Sequence, residues 1–212
     1  MKLLWNTNKK INSFWGNYHF LNSSSWIYSI LNKIDYQNLD SVEQISENDN
    51  LIIIDSQLTV KKNLYLELSK KCSSIYLIHL GDEGATEDTN LIYNNCTHVW
   101  RTFCLPHYVQ SKKVTCIPIG YKSGLTYGTK NVFDRKYLWS FMGTIHGASR
   151  YDLIDKHKNL EPNFIKKTEN FSSEESLSAE EYYKKIKESK FVLVPHGYLH
   201  PESYRLYEGL EC

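Results

Sequence analysis

The chain has 212 residues, 41% of them hydrophobic, enough for a packed core in one large or two small domains. Its 25 Lys and Arg against 24 Asp and Glu leave a net charge of +1, which excludes a general nucleic-acid binder. No stretch approaches ~18 consecutive apolar residues, so no membrane span is expected, and Met1 to Trp5 lacks the apolar centre of a signal peptide.

Residues 1 to about 22 are rich in aromatics and Asn and show no clear period. Trp5, Phe14, Trp15, Tyr18 and Phe20 are expected to cover one edge of a sheet, with an acceptor groove as the alternative. Ser23 to Ile34 has helical spacing, with Trp26, Ile27, Ile30, Leu31 and Ile34 on one side. Leu51 to Asp55 is a continuous apolar run ending in Asp, the pattern of a central parallel strand. Val60 to Lys71 reads as a helix and Ile75 to Leu80 as a second buried strand, so the first half repeats strand, helix, strand. Thr97 to Arg101 and Val114 to Gly120 are further strand candidates, the latter broken by Pro118. Residues 122–134 include Gly124 and Gly128 and read as a linker between a first domain over 1–121 and a second over 135–212.

The second domain opens with a strand, Tyr137 to Gly143, then a turn with Gly147 and a helix starting near Ser149. Asn163 to Lys166 is a short strand candidate, and 168–178 a polar loop. Ser178 and Glu181 have capping-box spacing, which predicts a helix over 179–188. Lys190 to Val194 reads as a buried strand ended by Pro195, His196 and Gly197. Glu202 or Ser203 can then cap a helix from about Tyr204.

Open α/β sheets bind ligands at the C-terminal ends of their strands. Asp82 and Glu83 directly follow the second strand, either as acting carboxylates or as a turn cap and a solvated charge. Arg101 ends the third strand, as a cation facing the same crevice or as half of a surface ion pair. Gly143 and Gly147 allow close backbone approach to a ligand. Arg150 lies in the first turn of a helix, where a cation opposes the dipole and so points to an anionic partner. The final strand, loop and helix N-terminus form a place for an anion. Arg205 and Glu208 sit three apart on one helix face, a cation for phosphate and a carboxylate for ribose hydroxyls. His196 and His200 flank this loop, as phosphate contacts or as solvated side chains.

The segment Ser189-Lys190-Phe191-x-Leu193-x-Pro195-x-Gly197, then Ser203-x-Arg205-Leu206-x-Glu208-x-Leu210, resembles the exostosin family of glycosyltransferases, with Gly209 where that family has Ala. His79-x-x-Asp82-Glu83, Ile117-Pro118-x-Gly120, and Phe141-x-Gly143 followed by Arg150 are similar to further family segments. The resemblance implies an α/β fold of the GT-B type: two Rossmann-like units with a cleft between them, the first for the acceptor and the second for the nucleotide sugar. It assigns Gly143 and Arg150 to the donor's diphosphate and adds Pro195, Gly197, Ser203, Arg205 and Glu208 to the donor site. His79, Arg101 and His196 line the cleft, and Asp82 or Glu83 is the base of an inverting single displacement.

The donor is then a nucleoside-diphosphate sugar, UDP- or GDP-linked, and the acceptor a glycan hydroxyl. No Asp-x-Asp or paired-His metal motif is present, so metal-independent chemistry without a cofactor is expected. The family's donor unit continues into another strand after this helix, so the second unit is expected to be incomplete. Cys72, Cys96, Cys104, Cys116 and Cys212 are odd in number and lack a Cys-x-x-Cys pair. They read as reduced buried thiols of a cytoplasmic protein. The alternatives are a catalytically degenerate sugar-nucleotide-binding module, a fucosyltransferase-like GT-B enzyme, and a non-enzymatic α/β interaction protein.

Overall fold

The structure, a computed structural model, describes residues 1–5, 26–109, 111–121, 131–169 and 176–212. The expected aromatic cover at Phe14, Trp15, Tyr18 and Phe20, most of the 122–134 linker and most of the 168–178 loop lie outside the described residues. The chain divides into two units, one ending at Ile119 and the other running from Gly120 to Cys212.

In chain order the first unit contains β1 (Lys2–Trp5), α1 (Trp26–Leu31), β2 (Gln37–Leu39), β3 (Asn50–Asp55), α2 (Lys62–Lys71), β4 (Ser74–His79), α3 (Asn90–Asn95), β5 (His98–Arg101), α4 (Pro106–Val109) and β6 (Val114–Cys116). All six strands are parallel, in the order β2-β1-β3-β4-β5-β6. Leu51 to Ile54 are buried because both faces of the sheet are covered. Ile53, Leu77 and Val99 pack against Tyr65 and Leu68 of α2 and Ile92 and Tyr93 of α3. Leu3, Ile52, Ile54 and Ile78 face the other way, onto Ile27 and Leu31 of α1. This is a Rossmann-like layer.

Two strands carry no sequence signal. Residues 2–5 are not the edge cover expected of Trp5 and its neighbours: β1 lies between β2 and β3, with Leu3 and Leu4 buried. A four-residue run is too short to show a period. In β2, Gln37-Asn38-Leu39, only Leu39 is buried.

The second unit contains β7 (Tyr137–Thr144), α5 (Ala148–His157), β8 (Asn163–Thr168), α6 (Ala179–Lys187), β9 (Ser189–Val192) and α7 (Tyr204–Glu211). Its parallel strands run β8-β7-β9. Trp139 and Phe141 of β7 pack on Ile154 of α5, while Met142 packs on Tyr183 and Ile186 of α6. The predicted capping box forms: Glu181 N donates to Ser178 Oγ (3.3 Å) and Ser178 N to Glu181 Oε2 (3.1 Å). The last strand differs from expectation. β9 ends at Val192 and pairs only with β7 among the described residues, so Phe191 is 64% exposed rather than buried.

The expectation of five reduced thiols is corrected. Cys104 and Cys116 form a disulfide with Cα atoms 5.3 Å apart, whereas Cys72, Cys96 and Cys212 are free. β5 and β6 are adjacent strands with Arg101 opposite Cys116, and the turn after Arg101 brings Cys104 back over them. Twelve residues of separation give no spacing motif from which the bond could be read. The bond also removes the cysteine argument for a reducing compartment. Among the described residues no helix is long and apolar enough to cross a membrane.

Candidate functional site

In the first unit, polar residues gather where β3, β4, β5 and β6 end. Asp55, His79, Arg101 and Cys116 are cross-strand neighbours in one row, so their side chains share a face of the sheet. The row lies just beyond the apolar layer of Ile53, Leu77 and Val99. Asp55 is fully buried. Its Oδ1 accepts from Ser56 N (2.7 Å) and Gln57 N (3.3 Å), and its Oδ2 from Lys61 Nζ (2.8 Å) and the Tyr65 hydroxyl.

Arg101 is the largest fully buried side chain among the described residues. Its Nε donates to Thr102 O (3.1 Å), its Nη1 to Tyr93 Oη (3.4 Å) and its Nη2 to Asp82 Oδ2 (3.3 Å). Its guanidinium also lies 4.5 Å from the centre of the Tyr108 ring. Asp82 Oδ1 accepts from Thr86 N (2.7 Å) and Glu87 N (3.1 Å), so both oxygens of this carboxylate are engaged. Asp82 stands at φ 58°, a left-handed conformation that Asp tolerates better than most residues. Arg101 is thus a structural cation, and the open choice between a cleft cation and a surface pair resolves into a buried pair.

His79 is fully buried, and its Nδ1 lies 2.6 Å from Tyr93 Oη. Arg101 donates to the same hydroxyl, so Tyr93 Oη links the guanidinium to the His79 ring. Burial, and then the Arg101 charge, push the His79 pKa down to about 3, so the ring is neutral. Burial likewise holds the Tyr93 hydroxyl above its ordinary range. Sequence reasoning passed over Glu87. Its Oε2 accepts from Leu58 N (2.9 Å) and Thr59 N (3.2 Å), and burial raises its pKa, helped by the Asp82 and Asp55 charges. Asp55 carries a sequence hint, an acidic residue at a strand end, whereas Glu87 lies well past the end of β4 and carries none.

In the second unit, β7 connects to β8 on one side, and β9 lies on its other side. The loops leaving β7 and β9 therefore diverge at a topological switch point, where an open parallel sheet leaves a crevice. Arg205, in the first turn of α7, lies across the end of β7. Its Nη2 donates to Met142 O (2.7 Å), and its guanidinium carbon sits 4.9 Å from the centre of the Phe141 ring. This path exists because residue 143 is glycine. A Cβ there would stand 2.5 Å from Arg205 Nη2, and Gly143 is at φ +140°.

Two buried polar atoms at this point have no hydrogen-bond partner: Arg205 Nε and Ser203 Oγ. Ser203 is the N-cap of α7, yet its hydroxyl makes no capping bond. An orphan guanidinium N–H, an orphan hydroxyl and the positive end of an eight-residue helix together favour an anion.

The other expected donor residues fall around this centre in different roles. Arg150 is buried. Its Nη1 donates to Thr144 O (2.8 Å), and its Nε and Nη2 donate to His196 O (3.1 and 2.6 Å). It ties the β7 loop to the β9 loop, which explains a cation at a helix start without invoking a phosphate. His196 contributes its carbonyl to that tie, and its side chain is exposed. Pro195 is buried and Gly197 half-buried in the same loop. Glu208 is 2% exposed and accepts from Tyr182 Oη (2.6 Å) and Tyr183 Oη (3.4 Å). Both tyrosines are thereby held above their ordinary pKa, by burial first and then by the Glu208 charge. The structure thus brings Gly143, Ser203 and Arg205 together and turns Glu208 toward α6.

Among the described residues no group of three His, Cys, Asp or Glu side chains is arranged to hold a metal ion. Residues 125–212, most of the second unit, match the family described as the RXYLT1 C-terminal domain. This match fits a glycosyltransferase. No curated protein matches the chain.

Proposed function

We propose that the chain is a glycosyltransferase of GT-B type, related to exostosin-like enzymes, whose second unit holds the diphosphate of a nucleotide sugar. The observation that carries this reading is Arg205 laid across Gly143, with its Nε and the Ser203 hydroxyl unpartnered at the start of α7. The family match over the same residues supports it. The chemistry is displacement of the nucleoside diphosphate at the anomeric carbon by a glycan hydroxyl, with inversion. Arg205 and the N-terminus of α7 stabilise the charge that develops on the leaving diphosphate. Gly143 provides the close approach, and Arg150 keeps the two loops in register. The acceptor's proton goes to a carboxylate of the first unit. The candidates are Glu83 and Asp82, the latter tied to Arg101 and two backbone amides. The reading requires no metal. A UDP- or GDP-linked sugar is the first donor to try.

The same engagement of Asp82 favours a second reading, a sugar-nucleotide-binding module without turnover. It predicts nucleotide binding with no transfer or donor hydrolysis. The test of the first reading is thermal unfolding with UDP, GDP and CDP, since a ligand that binds only the folded state raises the melting temperature. One nucleotide should stabilise the parent and not Arg205→Ala. No stabilisation by any of the three, with the parent folded, would refute a donor site.

A further inference from the structure

We propose that the Cys104–Cys116 disulfide is a redox-controlled brace on the turn that carries Asp82 and Glu83; that it thereby controls deprotonation of the acceptor rests on the proposed role of those carboxylates. β5 ends at Arg101, which pairs with Cys116 of β6, and Arg101 O accepts from Ile117 N (2.8 Å). The chain after Arg101 turns back so that Cys104 can bond Cys116. That turn holds Phe103 at φ 56°, in the left-handed region, where a residue other than glycine stays only when its surroundings hold it. The disulfide fixes the residue next to Phe103 and is the covalent part of that hold.

The turn after β5 holds the turn after β4. Thr102 N donates to His79 O (3.0 Å), and Thr102 Oγ1 accepts from Gly81 N (2.9 Å). Arg101 Nη2 pairs with Asp82 Oδ2 (3.3 Å). The held turn is itself unusual, with Gly81 at φ 131° and Asp82 at φ 58°. The path from disulfide to carboxylate thus runs through Cys104, Phe103, Thr102, Gly81 and Asp82, and a covalent or hydrogen bond joins every step.

Cys104 and Cys116 are both half-buried, whereas the free thiols of Cys96 and Cys212 are buried. Access to one sulfur is what thiol–disulfide exchange needs. The reductant is a protein dithiol of the thioredoxin class. Its first thiolate attacks one sulfur of the bond, forms a mixed disulfide and releases the other cysteine as a thiolate, which takes up a proton. The second thiol of the reductant then breaks the mixed disulfide. Two electrons and two protons pass to Cys104 and Cys116, and the reductant leaves as its own disulfide. With the cross-link gone, Phe103 relaxes out of the left-handed region, Thr102 lets go of Gly81, and the turn with Asp82 and Glu83 loosens.

The test is hydrogen exchange of the full folded chain, read amide by amide at times too short for global unfolding. It compares the parent before and after treatment with reduced thioredoxin, without denaturant, and the variant Cys104→Ser with Cys116→Ser. Reduction should speed exchange about ten-fold at Gly81 and Thr102, and at Thr86 and Glu87, whose amides donate to Asp82 Oδ1. The amides of Ile53 and Leu77 should not change. Reoxidation should restore the parent rates. The double variant should exchange like the reduced parent and not respond to thioredoxin. Resistance of the folded parent to reduction overturns the proposal, because the bond is then structural only. Unchanged exchange at those four amides after reduction also overturns it. So does equal acceleration at Ile53 and Leu77, which reports general destabilisation. No nucleotide enters this measurement, so its failure leaves the donor site standing, and a chain that binds no nucleotide can still show the coupling.

Discussion

Arg101 Nη2 lies 3.3 Å from Asp82 Oδ2, with the two side chains 0% and 2% exposed. Removing one member of such a pair leaves the other buried and uncompensated, which costs about 3–5 kcal/mol. Asp82→Ala also frees Thr86 N and Glu87 N, so the turn after β4 should loosen. Urea denaturation should place Asp82→Ala and Arg101→Met each far below the parent. The double variant should be less unstable than the sum of the two, because the partners are coupled.

The buried His79 ring sets a pH dependence. Its folded pKa of about 3 lies below the ordinary 6.5, so the unfolded chain takes up a proton that the folded chain refuses. Its contribution is fully present above pH 6.5 and is lost as pH falls toward 3, by about 1.4 kcal/mol per pH unit. His79→Gln removes the titration. Denaturation between pH 7 and 5 should therefore show a steeper loss for the parent than for His79→Gln. Parallel slopes would mean that the ring is not buried neutral.

Gly143→Ala tests the cradle at the end of β7. The new Cβ meets Arg205 Nη2 at 2.5 Å, and φ +140° is strained for any side chain. The cost to stability is about 1–3 kcal/mol, and the nucleotide-dependent rise in melting temperature should vanish. Adding Arg205→Ala to Gly143→Ala should relieve the clash and recover part of the stability without recovering the nucleotide effect.

The Cys104–Cys116 disulfide closes a loop over a sequence separation of 12. A cross-link of about this size stabilises by about 3 kcal/mol through the unfolded chain. Dithiothreitol, or Cys104→Ser with Cys116→Ser, should lower the urea midpoint accordingly. Thiol titration of the unreduced, denatured protein should find only Cys72, Cys96 and Cys212 reactive. In the folded state Cys96 should be inert at neutral pH, since burial pushes its pKa up to about 12.

How much of this was legible depended on how local the cause is. β3 is readable because five consecutive residues, Leu51 to Asp55, are buried. The capping box of α6 is readable because its two members stand three residues apart. β1 and β2 are not, because short strands owe their place to partners distant in sequence. At the site, Gly143 and Arg205 were legible as residue types, but their mutual contact spans sixty-odd residues and needs the sheet to bring them together. Arg150 and Glu208 have the types of ligands and the surroundings of braces. Spacing cannot tell these apart, because a buried arginine or glutamate obtains its partners from backbone carbonyls or tyrosines that no motif records. Among the described residues β9 has β7 as its one sheet neighbour and Phe191 is exposed, which no property of Lys190 or Phe191 announces.

The position of β1 has a consequence for synthesis. Lys2 sits opposite both Gln37 and Leu51, so this strand must wait for two later ones before its backbone groups are paired with them in the sheet. Until Asn50 to Asp55 emerge, Leu3 and Leu4 are exposed apolar residues on an open strand, the kind of surface that holdase chaperones bind and that aggregates when left alone. Deletions within residues 2–5 would therefore act on the interior of the first sheet, and their effect should show as lost soluble yield during translation before it shows in the activity of the finished protein.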